Sequence, residues 1–472
     1  MEEAKIYFGS SPVTKDEKLE VRSPFNDKVV GYYPNCDAED AKKALKIAKE
    51  AFDKHKTTPL SKRVLWLRDV AKRLKEQKED FALTITKEIG KPITFSRIEV
   101  DRAIETIELS ADFAVAMSGE TINTDATPSG RQTMSFYKRV PMGVVVAITP
   151  FNFPLNLSAH KLAPALAAGN AVVYKPTPEA PITGYKLAKL FIQSPYAVPD
   201  MLSVVYGDAE VGEALVSSEI PRKISFTGSV QVGKIITQKA GIKKLSLELG
   251  GNAATYIEKS ADIKEAAARC AVGAFINSGQ VCISLQRIYV QEEIYEEFGQ
   301  ALVEDTKKLK VGDPYHPDTF MGPLINEEAA IRAQRWVESA VKAGARLLLE
   351  PKREGRYFYP AILADVRDDM EIVCEEVFAP IVSLVKVKSY EEAIRRMNDS
   401  PYGLQFSIFT KDIELIKRFI EDAEAGGVVV NDIPTLRFDI QPYGGVKLSG
   451  IGREGPKFAL EDYTEIKSVI IV

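Results

Sequence analysis

Cys282 has the neighbours of a reactive thiol. It lies in the run FINSGQVCI, residues 275–283, behind a Ser-Gly-Gln turn. A cysteine set there can present its sulfur at the start of a helix or loop, where backbone N–H groups favour the thiolate, the nucleophilic form. A free cysteine is more often a packed core residue, and that is the expectation for Cys36, Cys270 and Cys374. Upstream by 282 − 248 = 34 residues, Glu248 ends an apolar strand in LSLELGGN, residues 245–252. Two glycines follow it, and glycine lets the backbone come close to a ligand. A carboxylate in apolar surroundings gains proton affinity and suits general-base work; taken alone, a strand-end glutamate more often points into solvent. Asn152, in ITPFNFPLN (residues 148–156), stands between Pro150 and Pro154, which restrict the backbone on either side. An amide held so rigidly could donate to a developing oxyanion, although a lone turn asparagine usually satisfies its own backbone.

Two segments could hold a nucleotide. FTGSVQVG, residues 226–233, puts Gly228 and Gly233 after a strand-like run and opens a helix. A helix N-terminus in that context can receive a pyrophosphate, though the segment departs from the general GxGxxG fingerprint. YKPTPEAP places Lys175 at another strand end, where an ammonium could meet a ribose hydroxyl or a phosphate; a surface lysine is the plain alternative.

These residues need a frame, and the chain supplies one. β-Branched runs at 144–148, 171–174, 202–206, 223–226 and 244–247 alternate with helical stretches. That alternation predicts a parallel, doubly wound sheet whose ligand crevice lies at the carboxyl ends of its strands. A second alternating α/β region runs from about 252 to 430. Ahead of both, Asp37 and Asp40 read as the start of a helix with Ala41, Ala44, Leu45, Ala48 and Phe52 on one face. A second helix turns Leu67, Val70, Ala71 and Leu74 to one side, and a third stops at Gly90. Residues 121–139 form a polar, hairpin-like excursion that is either an oligomer contact or a surface loop.

Composition excludes several function classes. The chain is 45 % hydrophobic and 27 % charged with net charge −4, and its basic residues are scattered, so neither nucleic acid nor a membrane surface is an expected partner. The most apolar stretch, 143–159, is broken by Pro150 and Pro154 and is short for a bilayer. No positively charged, apolar leader opens the chain, so the expected location is cytoplasmic. Only three histidines (His55, His160, His316) and four cysteines without metal-ligand spacing are present, so no metal site is expected.

With EEVFAP (375–380), NDSPYGL (398–404) and PYGGVKLSGIGREG (442–455) in collinear order, these segments resemble the aldehyde dehydrogenase superfamily over nearly the whole chain. Within it the wording is similar to the lactaldehyde and non-phosphorylating glyceraldehyde-3-phosphate dehydrogenase branch. The resemblance implies an α/β fold with a Rossmann-like cofactor domain (1–120 and 141–247), an α/β catalytic domain (248–440) and a small β oligomerisation extension (121–140 and 441–472) in a homodimer or homotetramer. It implies NAD(P)-dependent oxidation of a small aldehyde to its acid through a Cys282 thioester. Glu248 would activate the deacylating water, and Asn152 with the Cys282 N–H would hold the oxyanion. Lys175 would contact the adenosine ribose, Gly228, Ser229 and Gly233 the pyrophosphate, Glu376 the nicotinamide ribose and Phe378 the nicotinamide, with Thr149 and Pro150 as further cofactor contacts. Phe153 and Val281 would line the substrate site.

Departures from the family pattern bear on specificity. NAD-preferring relatives carry a glutamate where this chain has Pro178, with Glu179 one step later, so both NAD and NADP stay open. Enzymes for phosphorylated aldehydes often carry arginine where this chain has Val281, which favours lactaldehyde or a similar hydroxylated aldehyde. Arg102 and Arg437 keep two readings, a clamp for glyceraldehyde-3-phosphate or succinic semialdehyde or ordinary salt bridges. CoA-acylating relatives typically lack the Glu248 base, so hydrolysis is expected. A thiol hydrolase would need a base for Cys282, with His160 the candidate, and a non-catalytic relative would lack one of the three key side chains.

Overall fold

Runs rich in Val, Ile and Ala that are buried on both faces make parallel strands, and the Val144–Ile148 and Ala171–Lys175 runs are of this kind. The protein is described over residues 2–472 by a computed structural model. Its first sheet has eight strands, in the order Gly450–Ile451, Lys244–Glu248, Pro221–Thr227, Val144–Ile148, Ala171–Lys175, Leu202–Val204, Ile6–Phe8 and Ser11–Val13. The five inner strands are parallel, at the positions expected from the alternating pattern. The chain starts in the middle, at Val144–Ile148, winds one way to Leu202–Val204, then crosses back to Pro221–Thr227 on the other side. Such a reversal opens a crevice at the carboxyl ends of the two central strands.

The edges of this sheet come from distant chain. An N-terminal hairpin closes one side, antiparallel to Leu202–Val204. On the other side Gly450–Ile451 lies antiparallel to Lys244–Glu248, and Ala459 and Leu460 of the following helix Pro456–Asp462, with Tyr463 at its end, join the core under the first sheet. Part of the stretch expected to form a separate extension is therefore built into the first sheet. Its final strand, Thr464–Ile471, pairs with Met134–Pro141 as a two-stranded ribbon.

The second sheet has seven strands, in the order Arg346–Leu349, Ala361–Ala364, Ile381–Val387, Leu285–Gln291, Ala253–Ile257, Gln405–Phe409 and Gly427–Val430. All neighbours are parallel except the edge pair at Arg346–Leu349. The loops entering its strands carry Gly250–Asn252, Cys282 and Glu376. The carboxyl ends of the first sheet and the amino ends of the second thus supply the two walls of one site.

The flanking helices form as their sequences dictate. Asp37 caps Ala38–His55 in a reciprocal capping box with Asp40, and Gly90 ends Lys78–Ile89 in the left-handed conformation (φ 68°). Phe52 is only partly buried and Ala51 completes the buried face. Of the cysteines expected in the core, Cys36 and Cys270 are buried, but Cys374 is only partly buried, at the end of the single helical turn Glu371–Cys374. Among the described residues no helix is long and apolar enough to cross a membrane, and no cluster of three His, Cys, Asp or Glu side chains could hold a metal.

Candidate active site

The loop that carries Cys282 is shaped by backbone that ordinary residues avoid. Asn277, Ser278 and Gly279 are successive left-handed residues, with φ of 50°, 57° and 71°. Each non-glycine residue held there costs roughly 1–2 kcal/mol, so the surroundings must enforce the turn. Ser278 Oγ donates to the Gly322 carbonyl (2.8 Å), and a Cβ at Gly279 would stand 2.3 Å from the Ala379 carbonyl oxygen. The turn delivers Cys282 in a loop, not at a helix start, ahead of Leu285–Gln291. Its Sγ lies 2.9 Å from Tyr443 Oη.

Cys282 lines a cavity of about 650 Å³ between the sheets. Thr149, Pro150, Asn152 and Phe153 line it from the end of Val144–Ile148, and Lys175, Gly228 and Ser229 from neighbouring strand ends. Glu376, Phe378 and Val281 complete the wall from the second sheet, and Arg102 and Arg437 also line it. Asn152 Nδ2 donates to the Gln280 carbonyl at 3.0 Å, which leaves its second N–H for the cavity. Phe378 is held at φ 48° with its ring edge-on to Phe151, 6.0 Å between centroids.

Two expected residues are placed differently. Gly233 does not line the cavity; it lies inside the helix Val230–Lys239, where a Cβ would strike the Leu249 side chain at 2.7 Å. It serves close helix–sheet packing. Glu248 also lies behind the cavity wall, with both carboxylate oxygens buried and without hydrogen-bond partners. A Cβ on Gly444 would come within 2.8 Å of its Oε1, so only glycine there leaves the carboxylate room. Burial, and then the Glu454 charge, push the Glu248 carboxyl well above its usual range.

The dinucleotide wall fits its ligand chemically. Ser229 Oγ caps Val230–Lys239 through the Val232 N–H, and this ten-residue helix begins at the cavity, where its N-terminal dipole favours a phosphate. Lys175 is buried at its strand end and, among the described residues, its ammonium forms no hydrogen bond or ion pair. The Thr227 hydroxyl is likewise buried without a partner. Buried polar groups left unmatched cost free energy, and a ribose and pyrophosphate would match these. Glu179, beside them, accepts the Thr177 hydroxyl. Glu376 accepts the Gly251 N–H (2.9 Å) with its carboxyl pushed up to about 7 by burial.

Behind the substrate end lies a buried ionic hub. Glu99, Arg102 and Thr106 share one face of the helix Ile93–Ala116, and Asn156 and His160 one face of Asn156–Ala167. Asp439 joins the two faces: it accepts Arg102 Nε and Nη2 at 2.8 Å each, and lies 2.8 Å from His160 Nε2. Arg437 lies 3.7 Å from Asp439 and 3.3 Å from Glu454, which also accepts Lys161 at 2.9 Å. Lys91 pairs with Glu99 and sits 3.8 Å above the Phe153 ring, while Glu99 Oε1 accepts the Leu155 and Asn156 N–H groups. His160 is thus committed to Asp439, Thr106 and Arg437, away from the thiol.

Residues 12–469 match the aldehyde dehydrogenase family. The chain belongs to the aldehyde dehydrogenase family. This aldehyde dehydrogenase is 42 % identical over 468 residues to a 3-sulfolactaldehyde dehydrogenase of Priestia aryabhattai, covering 99 % of this chain and 97 % of that one. It is 42 % identical to a lactaldehyde dehydrogenase of Methanocaldococcus jannaschii (96 % and 97 % covered). A glyceraldehyde-3-phosphate dehydrogenase from the same archaeon, solved with NADP, superposes with a TM-score of 0.93 at 41 % identity, covering 97 % of this chain and all of that one (100 %). The resemblance to the lactaldehyde and glyceraldehyde-3-phosphate branch is borne out, and the enzyme is an NAD(P)-dependent oxidoreductase of small aldehydes.

Sequence reasoning missed several residues of the dehydrogenase site. Tyr443 lay inside PYGGVKLSGIGREG without an assigned role, although a phenol beside two glycines near the chemistry was a usable signal. Asp439 gave none, because its partners are remote in sequence, and Lys91 and Glu99 gave none, because their pairing depends on how the Gly90 turn meets the helix Ile93–Ala116.

Proposed function

We propose that this enzyme oxidises a small 2-hydroxyaldehyde of the lactaldehyde type to its acid, with Cys282 as nucleophile and Glu248 as base. The observation that carries the reading is the single cavity holding the Cys282 thiol, the Asn152 amide and the polar dinucleotide wall together. Attack by the thiolate on the aldehyde carbon places an alkoxide where the free N–H of Asn152 can hold it, and such donors supply much of the stabilisation in acyl chemistry. When bound, the nicotinamide supplies the hydride acceptor that leaves a thioester on Cys282. Glu248, its proton affinity raised by burial, turns toward the thioester and takes a proton from the attacking water, releasing the acid. Lys175, Ser229 and Glu376 hold the dinucleotide; Lys175 favours a 2′-phosphate and Glu179 opposes it.

Charge matching in the substrate end supports a neutral substrate. The cations Lys91, Arg102 and Arg437 are each paired with Glu99, Asp439 or Glu454, so an anionic tail must compete with a carboxylate for each of them. The second reading, an aldehyde carrying sulfonate, carboxylate or phosphate, draws on Arg102 and Arg437 lining the cavity. Turnover of lactaldehyde, glycolaldehyde, sulfolactaldehyde, succinic semialdehyde and glyceraldehyde-3-phosphate, with NAD and NADP in parallel, decides between them. The neutral hydroxyaldehydes should show the highest kcat/KM; a preference of tenfold or so for an anionic aldehyde overturns the substrate reading. Free acid should form without CoA, and acyl-CoA formed only with CoA would make the enzyme acylating. The ribbon of Thr464–Ile471 on Met134–Pro141 leaves Ile466, Ile470 and Met134 exposed, and this apolar edge is the contact of a homo-oligomer.

Glu248→Gln separates the two half-reactions. Loss of a positioned general base costs roughly 10²–10⁴-fold, and here it falls on deacylation alone. The variant should release about one reduced nucleotide per site in a fast burst and then turn over slowly, as accumulated covalent intermediates do. A full steady-state rate would remove Glu248 from the mechanism.

A further inference from the structure

The Cys282 sulfur has one side-chain hydrogen-bond partner among the described residues, the Tyr443 hydroxyl at 2.9 Å. That phenol is held from several directions. The Tyr443 N–H donates to the Glu454 carbonyl (3.1 Å), and the Glu454 N–H returns a bond to the Tyr443 carbonyl (2.6 Å). Its ring packs with Val281, Ile283 and Leu404 in the apolar cluster around Cys282. The Arg437 guanidinium lies 3.7 Å from the ring centroid, and Arg437 is itself anchored to Glu454 and Asp439. The next residue, Gly444, borders Glu248, so consecutive residues of one loop face the nucleophile and the base.

We infer that Tyr443 is the hydrogen-bond donor that stabilises the Cys282 thiolate, and that Arg437, stacked on its ring, holds the phenol in place. This rests on Cys282 being the nucleophile. A buried thiol needs such help, because taking a thiolate out of water is costly. Burial pushes the Cys282 thiol up, while Tyr443 and Arg437 draw it down and Glu376 and Glu248 oppose them. A thiolate has no proton to give, so in that state only the O–H can donate. Burial and the facing Cys282 keep the phenol itself protonated far above its ordinary range. The role is distinct from that of Asn152, which serves the substrate oxygen rather than the sulfur. The Arg437–Tyr443–Cys282 stack also ties thiol activation to the ionic hub at the substrate end.

Tyr443→Phe removes one oxygen and keeps the ring under Arg437, so the test is a clean deletion of the donor. The readout is iodoacetamide alkylation of Cys282 across pH 6 to 10, followed on the Cys282 peptide by mass spectrometry so that Cys36, Cys270 and Cys374 do not contribute. Hydrogen bonds to charged groups are strong enough to move the alkylation inflection upward by roughly one to two pH units in the variant. The acid limb of kcat/KM should move the same way. Arg437, Glu248 and Glu376 are unchanged in this variant, so the shift reports the phenol alone. An inflection that stays in place overturns the inference, even if turnover falls, because Tyr443 would then act on the substrate. Alkylation does not depend on catalysis; retained turnover in a Cys282→Ala enzyme would refute the nucleophile reading and leave the alkylation result standing.

Discussion

Cys282→Ala is expected to lower aldehyde oxidation by at least about 10⁴-fold with a folded protein that still binds nucleotide. A loss of that size corresponds to roughly 5 kcal/mol in the barrier, the scale on which removing a nucleophile is felt when the rest of the site remains. Without the sulfur no thiohemiacetal forms, and the hydride would have to leave an aldehyde hydrate that nothing in the cavity is built to generate. Glu248 does not compensate, since its carboxylate stands behind the cavity wall with no bound partner. The structural cost is small by comparison. Cys282 is only partly buried as a whole residue, and its loss orphans only the Tyr443 hydroxyl, which costs roughly 1–3 kcal/mol. Reduced-nucleotide absorbance against a nucleotide-binding titration on the same sample separates the two effects. Oxidation that persists within tenfold of the parent enzyme, at saturating aldehyde, would remove Cys282 from the chemistry.

What the chain disclosed follows the range of its interactions. The five parallel strands were legible because period and composition act over four to eight residues, and only the end of Leu202–Val204 fell short of its expected run. Cys282, Asn152 and Lys175 were legible because each sits beside glycines or prolines that fix the local backbone. Glu248 was legible as a residue type but not in its orientation, which depends on Gly444 nearly two hundred residues away in the chain (444 − 248 = 196) leaving space for its oxygens. The Asp439 hub was invisible for the same reason. Its partners His160 and Arg102 are 279 and 337 residues distant, and no local pattern encodes an ion pair set by how two helices pack. Gly233 shows the opposite error, since a glycine in a nucleotide-like segment proved to serve the contact with Leu249.

The hub is also where a single change should most disturb the fold. Asp439→Ala is expected to destabilise the protein by about 3–5 kcal/mol, the cost of breaking a buried ionic cluster from one side. Asp439 is 4 % exposed, and its carboxylate serves Arg102, His160, Asn156 and, at 3.7 Å, Arg437. Truncation leaves the Arg102 charge without its bidentate acceptor and two helices without their common anchor. For a domain of this size the apparent Tm should fall by roughly 10 °C, as calorimetry would record, whereas a shift within two degrees would mean that water and Glu454 replace the carboxylate. The same group gives the enzyme an acid limit. Burial by itself would raise the Asp439 carboxyl, but the His160 hydrogen bond and the Arg102 guanidinium outweigh it and hold the carboxyl far below the usual range. A depressed folded value contributes stability above the unfolded value, near 4, and loses it as pH falls toward the folded one. The parent enzyme should therefore lose stability relative to Asp439→Asn as pH drops below about 4. Because Arg102 and Arg437 also line the substrate end, Asp439→Asn frees Arg102 from its carboxylate and leaves Arg437 paired with Glu454 alone. If the committed guanidiniums are what makes the site prefer neutral aldehydes, this variant should gain kcat/KM on anionic aldehydes while losing stability at neutral pH.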